Sequence, residues 1–379
     1  MGATYKTNTL TPFLKWAGGK EQELRYILPL LPPFEHYYEP FVGGGAVFFS
    51  LQPKKSFIND RSPELFSLYQ MIAQADHDFF CALDILLQDW QYISDVVHTS
   101  EKELISLYQS YSDDLCSLIE IRNALLKFIK HNQIKFESMF HRVFSYDVHN
   151  FMYEIERNLF NKTKRMKRLE SRKWKLPQQD IIANIECACK SAFYMHVRYL
   201  YNNIKQYGIP ANLAAALFFF IRENAYAAMF RYNSKGAFNV PYGGISYNRK
   251  NLASKVAYMR SPQLRTHLSE AVIENMDFEA FLRKYPPQAN DFVFLDPPYD
   301  SEFSTYAKNE FSFHDQERLA NYLVTECQAK FMLVIKNTPA IFSLYNQHGL
   351  NMTIFQKKYL VNFHDRNDKD VKHLIITNY

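Results

Sequence analysis

Residues 291–299 read Asp-Phe-Val-Phe-Leu-Asp-Pro-Pro-Tyr, an apolar run that leads directly into an acid, two prolines and an aromatic residue. Each proline fixes its own φ and restricts the residue before it, so the end of the run is stiff. A short apolar run bounded in this way is typical of a buried strand. We therefore predict a central strand over residues 291–295, followed by a rigid turn.

Similar apolar runs lie on both sides of this strand, separated by stretches with helical spacing. The further strand candidates are residues 37–42, 56–59, 331–335, 353–361 and 371–377, and residues 315–324 have helical periodicity. Alternation of strand, helix and strand is typical of a parallel sheet with helices on both faces. The sequence thus predicts an α/β fold with a seven-stranded, mostly parallel, Rossmann-like sheet.

The middle of the chain has a different character. Between about residues 78 and 201 helical periodicity dominates, and that stretch contains no glycine. Ser100 and Glu103 have the spacing of a capping box. We predict a large helical insertion, which gives one domain from residues 1–77 and 265–379 and a second from residues 78–264.

A strongly basic run lies inside this insertion. Residues 161–175 contain eight basic residues and one acid. A solvated helix face is the simplest interpretation of such a run. The alternative is an arm that contacts nucleic-acid phosphates.

Composition excludes several other classes of protein. The five cysteines are scattered, and neither they nor the histidines have the paired spacing of a metal site, so no metal is expected. No apolar run approaches the roughly 20 residues that cross a membrane, and residues 214–221 are predicted to be a buried helix instead. A reduced, cytoplasmic chain with no membrane partner is the simplest expectation.

Glycine is scarce, with 11 in the chain, and five of them form two clusters, Gly18-Gly19 and Gly43-Gly44-Gly45. Residues 43–45 are Gly-Gly-Gly and follow the first predicted strand, where a turn lets backbone approach a ligand at the carboxyl edge of the sheet. A tight strand–helix connection would explain this cluster equally well. Asp60 follows the next strand; it could accept hydrogen bonds from a ribose, or it could cap a helix.

The turn after the central strand suits a planar amine. The Asp296 carboxylate can accept one N–H and the Pro297 carbonyl a second, while Pro298 stiffens the turn and Tyr299 stacks on a base. Drawing both hydrogens out of the ring plane frees the nitrogen lone pair for attack, so the chemistry depends mainly on positioning. A purely structural rigid turn is the alternative.

Together these motifs resemble those of the Dam-type (D12 class) DNA adenine-N6 methyltransferases. The similar stretches, in chain order, are 13–20, 39–45, Asp60, 231–243, 275–278 and 296–299, within a resemblance over roughly residues 10–77 and 215–379. The resemblance implies methyl transfer from S-adenosylmethionine to a flipped-out adenine in double-stranded DNA. It also implies a cognate restriction endonuclease as a candidate functional partner.

The resemblance also implies residue roles. Trp16 and Lys20 would hold the methionine part of the cofactor, and Asp60 would bind its ribose. The other cofactor-binding residues that it implies are Glu39, Phe41, Gly43, Gly45, Asp277, which would bind the adenine amine, and Asp296.

A second group of residues would contact DNA. This implied group consists of Lys15, Tyr226, Arg231, Asn233, Lys235, Asn239 and Pro241. Arg231 would read guanine and Tyr226 would wedge between base pairs while the adenine is extruded. Residues 233–236 are turn-prone between extended flanks, which predicts a β-hairpin near residues 231–242.

Two departures and two rival functions bear on this prediction. Family members that read GATC commonly have Tyr-Asn-Gly before the arginine and an arginine after Pro-Phe-Gly. Here the corresponding residues are Tyr226-Ala227-Ala228 and Pro241-Tyr242-Gly243-Gly244, which argues against a GATC site. A cytosine-N4 methyltransferase would use the same amine chemistry, but with a serine opening the proline motif. A non-catalytic DNA-binding relic would have lost its cofactor-binding residues.

Overall fold

The computed structural model describes residues 10–16, 18–133, 136, 144–298, 311–346, 348–358 and 370–379. The chain divides into two compact units. Met1–Gln74 and Met259–Tyr379 form the first, which we call the sheet unit, and Ala75–Tyr258 forms the second, the helical unit. The sequence placed the corresponding boundaries at residues 77 and 265, and the functional roles that it assigned to the two parts stay predictions.

One seven-stranded sheet is the centre of the sheet unit. Its strands are β1 Tyr37–Glu39, β2 Ser56–Asn59, β3 Val272–Glu274, β4 Phe292–Leu295, β5 Lys330–Lys336, β6 Asn351–Lys358 and β7 Asp370–Thr377. The order is β3-β2-β1-β4-β5-β7-β6. Only β7 is antiparallel to its neighbours, β5 and β6. The predicted fold class, α/β with a mostly parallel sheet, is confirmed.

Strand β4 is the buried middle of this sheet. All four of its residues are buried, and it pairs in parallel with β1 on one side and β5 on the other. Because parallel strands end at the same edge, the residues that follow β1 and β4 lie side by side at the carboxyl edge, where such sheets bind ligands. Asp296, Pro297 and Pro298, which follow β4, therefore lie at that edge.

Two strand predictions differ from the structure. The first strand ends at Glu39 and not at residue 42, because Pro40 has no N–H to donate to the ladder. Strand β3 was not among the candidates. It has three residues, all only partly buried, so it lacks the continuous apolar run that marked the others.

Fifteen α-helices lie among the described residues. In the sheet unit they are α1 Leu24–Ile27, α2 Ala46–Leu51, α3 Pro63–Ala73, α12 Pro262–Ser269, α13 Phe278–Lys284, α14 Phe313–Thr325 and α15 Pro339–Asn346. In the helical unit they are α4 His77–Thr99, α5 Glu101–Ser112, α6 Leu118–His131, α7 Val148–Glu170, α8 Gln178–Asn202, α9 Ile204–Tyr207 and α10 Ala211–Asn224. Helix α11, Ala253–Met259, contains the boundary between the units.

Large aromatic contacts join three helices of the helical unit, α4, α8 and α10. Trp90 of α4 meets Phe220 of α10 edge-on at 5.4 Å and Phe193 of α8 at 6.1 Å, measured between ring centroids. The run at 214–221 lies in α10, whose residues are buried from Ala215 onward. None of the described helices is both long and apolar enough to span a membrane.

The capping box predicted at Ser100 and Glu103 was wrong. Ser100 does precede α5, but its φ of −101° and ψ of 16° are not those of an N-cap, and its side chain makes no capping hydrogen bond. The capping box in this unit lies one helix later. There the Ser117 side chain accepts from the Glu120 amide, while the Glu120 carboxylate accepts from the Ser117 amide.

Candidate active site

The loop that leaves β1 is held in a glycine-dependent shape. Gly43 and Gly45 both have positive φ, 48° and 72°, a region that residues with a Cβ rarely enter. The Gly45 amide donates to the Val42 carbonyl at 2.7 Å, and the Tyr69 hydroxyl donates to the Gly43 carbonyl at 2.8 Å. These bonds turn the chain directly into α2.

Asp60 ties the end of β2 to this loop. One carboxylate oxygen accepts from the Gly43 amide at 2.9 Å and the other from the Ser62 amide at 2.8 Å. Burial raises the pKa of Asp60 to about 6, although these two bonds oppose the shift. Ser62, and not Asp60, is the N-cap of α3, so the helix-capping alternative does not describe Asp60. Each oxygen keeps capacity for a further hydrogen bond.

A single buried lysine lies between two acids at the sheet edge. Lys20 is 3% exposed, forms an ion pair with Asp296 and donates to the Gly18 carbonyl at 2.9 Å. Glu39 is 2% exposed and accepts from the Tyr37 hydroxyl at 2.8 Å. Burial raises the pKa of Glu39 well above its usual range; Asp296 adds to the rise, and Tyr37 and Lys20 oppose it. The exits of β1 and β4 are therefore coupled electrostatically.

These groups line an open recess of about 260 Å³, a volume that includes the solvent at its mouth. Its lining residues are Gly18, Gly19, Lys20, Glu39, Val42, Gly43, Gly44, Gly45, Ala46, Val47 and Asp296. Five of the predicted cofactor-binding residues thus share one recess: Lys20, Glu39, Gly43, Gly45 and Asp296. Trp16 packs behind the glycines, because a Cβ added at Gly43 would lie 3.0 Å from the Trp16 ring.

Phe41 and Asp277 have other partners in the same unit. Phe41 contacts the rings of Phe278 and Phe311 at 5.4 and 5.5 Å between centroids. Asp277 is the N-cap of α13 and forms an ion pair with Arg318 at 2.8 Å. A ligand amine at Asp277 would therefore share this carboxylate with Arg318.

The proline turn is described as far as Pro298. Pro297 is buried, Pro298 is exposed, and the Pro298 carbonyl accepts from the Gln316 side chain at 3.1 Å. Gln316 lies on α14 and is fully buried, so this hydrogen bond attaches the proline turn to that helix. Tyr299, predicted to stack on the target base, lies outside the described residues.

Six of the predicted DNA-contacting residues lie on one segment of the helical unit. Tyr226 is 48% exposed and its amide donates to the Pro241 carbonyl at 2.9 Å. The Arg231 side chain donates to that of Asn239 at 3.0 Å. The Asn233 side chain accepts from the Lys235 amide, which closes the turn. The flanks of the predicted hairpin are joined by an isolated bridge, Tyr232 to Phe238, and not by regular strands. The seventh, Lys15, is exposed in the sheet unit.

The turn after Tyr226 has an unusual backbone. Ala227 and Ala228 both have φ of 52°, which costs roughly 1–2 kcal/mol for each residue with a Cβ. Asn and Gly, common here in GATC readers, tolerate this conformation better. Buried Arg222 donates to the Ala228 carbonyl at 3.0 Å, and its guanidinium lies 4.7 Å from the centroid of the Phe230 ring. Arg222 therefore stabilises the turn that follows Tyr226, a role that no local sequence pattern indicated.

Comparison with known proteins agrees with this arrangement. The family model described as D12 class N6 adenine-specific DNA methyltransferase matches residues 16–103 and 131–363. The chain is 25% identical to Type II methyltransferase M.CviBI of Paramecium bursaria Chlorella virus NC1A, over 98% of this chain and 100% of the relative. It is 26% identical to Type II methyltransferase M.MjaIII of Methanocaldococcus jannaschii, over 97% of this chain and 99% of the relative. The DNA adenine methylase of Escherichia coli K12 is 39% identical over 67 residues, 18% of this chain and 24% of the relative.

Proposed function

Because the chain belongs to the D12 class of N6 adenine-specific DNA methyltransferases, we propose that it transfers the methyl group of S-adenosylmethionine to a flipped-out adenine in double-stranded DNA. The observation that carries this proposal is the position of Asp296 at the exit of the central strand, ion-paired with Lys20 at the glycine-lined recess. In this proposal the recess binds S-adenosylmethionine, the methyl donor, and the proline turn binds the adenine amine, the methyl acceptor.

The side chains of the recess fit an amino acid joined to a ribose. Lys20 offers a cation to a carboxylate, Glu39 offers an acceptor to an ammonium group, and Asp60 offers acceptors to ribose hydroxyls. When bound, S-adenosylmethionine supplies a methyl group on a positively charged sulfur. Trp16, Phe41 and the glycines would form the walls, and Asp277 would contact the adenine amine of the cofactor.

The proline turn would orient the target base. Asp296 and the Pro297 carbonyl accept the two N6 hydrogens, and Tyr299 stacks on the ring. With its lone pair free, N6 would be able to attack the methyl group that the cofactor supplies, with the carbon–sulfur bond breaking and the proton released from N6 passing to solvent. The protein mainly contributes alignment, which is worth several kcal/mol when the reacting atoms are held in place.

The segment from Tyr226 to Pro241 would recognise the DNA sequence. Arg231 can address guanine O6 and N7 together, and Tyr226 would fill the space that the extruded adenine leaves. Several curated relatives carry the name Type II methyltransferase. On that ground we propose that the enzyme protects DNA against a cognate restriction endonuclease.

Methylation of mixed-sequence DNA by the purified protein tests the proposal. We expect S-adenosylmethionine-dependent formation of N6-methyladenine at one short sequence, which single-molecule sequencing of the product would identify. N4-methylcytosine as the product would instead favour the cytosine enzyme. DNA binding without binding of S-adenosylmethionine would identify a relic.

Cofactor affinity should depend on pH through Asp60. Burial, with a smaller contribution from Glu64, raises the pKa of Asp60 to about 6, so below that pH most of the carboxyl is protonated and accepts fewer hydrogen bonds. We expect the Kd for S-adenosylmethionine to rise by up to about tenfold per pH unit below about 6. Isothermal titration between about pH 5 and 8 measures this.

The matched variant is Asp60→Asn. It should bind more weakly than the wild type at about pH 8 and lose the dependence near pH 6. If the wild-type Kd stays constant through that range, Asp60 does not bind the cofactor as an ionised group.

A further inference from the structure

Seven of the eight basic residues of the run at 161–175 fall into two groups; the eighth, Lys164, is half-buried, and its ammonium lies 4.6 Å from the centroid of the Phe160 ring. Three lysines contact other side chains of the helical unit. Lys167 pairs with Asp114 at 2.5 Å, Lys175 pairs with Asp113 at 2.6 Å, and the Lys162 ammonium lies 3.7 Å from the Cys187 sulfur. Lys167 and Lys175 fasten the end of α7 to the end of α5, and they neutralise the two acids there.

Four other basic residues point to solvent. Arg165 and Arg168 lie one turn apart on one face of α7, and Arg172 and Lys173 follow just beyond its last residue, Glu170; all four are exposed. Within the described part of the chain, none of these four forms an ion pair with an acid. The result is a positive surface at the end of α7, and the acids Asp113, Asp114 and Glu170 are already paired with Lys167 and Lys175.

A large aromatic side chain completes this surface. Trp174 is 68% exposed, and the Lys173 ammonium lies 5.6 Å from its ring centroid. Cations at the end of a helix can simply stabilise its dipole, which would explain Arg168. That explanation does not cover Arg172 and Lys173, which lie beyond the helix, or an indole left in water. Exposed cations interleaved with an aromatic ring are typical of surfaces that bind nucleic acid.

We propose that Arg165, Arg168, Arg172, Lys173 and Trp174, which we call the α7 patch, bind the phosphate backbone of the substrate DNA outside the recognised sequence. The proposal rests on double-stranded DNA being the substrate. The arginines neutralise phosphates, and the Trp174 ring packs against the sugar and groove edge beside them. Such contacts add affinity for any sequence and make that affinity salt-dependent.

A triple variant, R165Q/R168Q/R172Q, tests the patch. Binding of a long random-sequence duplex is measured by fluorescence anisotropy across a salt series. We expect the slope of log K against log salt to flatten by about 2–3, and the affinity at about 0.1 M salt to fall at least about tenfold. The matched control is K102Q/K127Q/K130Q, which removes three other exposed cations of the helical unit and should leave the slope unchanged.

The native protein provides a second measurement. It has three tryptophans, and Trp90 is buried, so iodide should quench Trp174 most strongly. Bound DNA should remove this quenching, and W174F should lack the change. Any of three results would overturn the proposal. The salt slope could stay unchanged in the triple variant, the control variant could lose as much DNA affinity as the triple variant, or iodide could still quench Trp174 in the DNA complex. If the wild type binds no DNA at all, the proposed function fails first.

Discussion

Asp296→Asn should reduce the rate of methyl transfer by about 10²–10³-fold at saturating S-adenosylmethionine, the usual size for removing one preorganised polar group at a reacting centre. The amide oxygen can still accept an amine hydrogen, but it carries no negative charge to offset the positive charge that N6 gains as it is methylated. Cofactor affinity should change little or increase, because Lys20 now shares its ammonium with Asp296 and would be released toward the cofactor carboxylate. Single-turnover transfer and cofactor titration separate the two effects.

Two further variants provide the control: Lys20→Met alone, and the double variant that combines Lys20→Met with Asp296→Asn. Lys20→Met removes the cation between Asp296 and Glu39, so cofactor affinity should fall at least about tenfold. If Asp296 served only to balance Lys20, the double variant would recover activity relative to Asp296→Asn. We expect no such recovery. Near-normal transfer by Asp296→Asn at saturating cofactor would falsify the assignment of Asp296 to the target amine.

The parts of the fold that follow from local pattern were predictable. Phe292–Leu295 is a central strand because four consecutive apolar residues end at a proline turn, and similar apolar runs predicted five of the other six strands. Val272–Glu274 was missed because a short, half-buried edge strand carries little pattern. Ser100 failed as a capping residue because sequence spacing does not determine backbone dihedrals.

The candidate site also has parts that the sequence predicts and parts that depend on tertiary contacts. The resemblance assigned Lys20 and Asp296 to one site, but their ion pair joins residues that are far apart in sequence, and only the sheet brings them together. Arg318, Gln316 and Arg222 act on Asp277, Pro298 and Ala228 through side-chain contacts that no periodicity encodes. The paired positive φ values of Ala227 and Ala228 even oppose local preference, so only tertiary contacts can maintain them.

Gly45→Ala should destabilise the sheet unit more than any other single methyl group added to the recess. Its φ is +72°, and a Cβ there would lie 2.8 Å from the Phe49 ring and 3.0 Å from the Tyr69 hydroxyl. Both neighbours are buried, 0% and 1% exposed, so neither can move away easily. Displacing Tyr69 would also break its hydrogen bond to the Gly43 carbonyl. We expect the free energy of unfolding to fall by about 2–4 kcal/mol, from backbone strain and overpacking together.

Gly349→Ala isolates the backbone part of this effect. Gly349 lies in the same unit with a φ of +67°, but a Cβ there meets nothing within 4 Å. It should cost only about 1 kcal/mol and leave S-adenosylmethionine binding intact, whereas Gly45→Ala should weaken that binding at least about tenfold. Urea unfolding and cofactor titration of both variants give the comparison. Equal losses of stability would mean that the loop after β1 can relax around a side chain, and the recess would then not depend on glycine at this position.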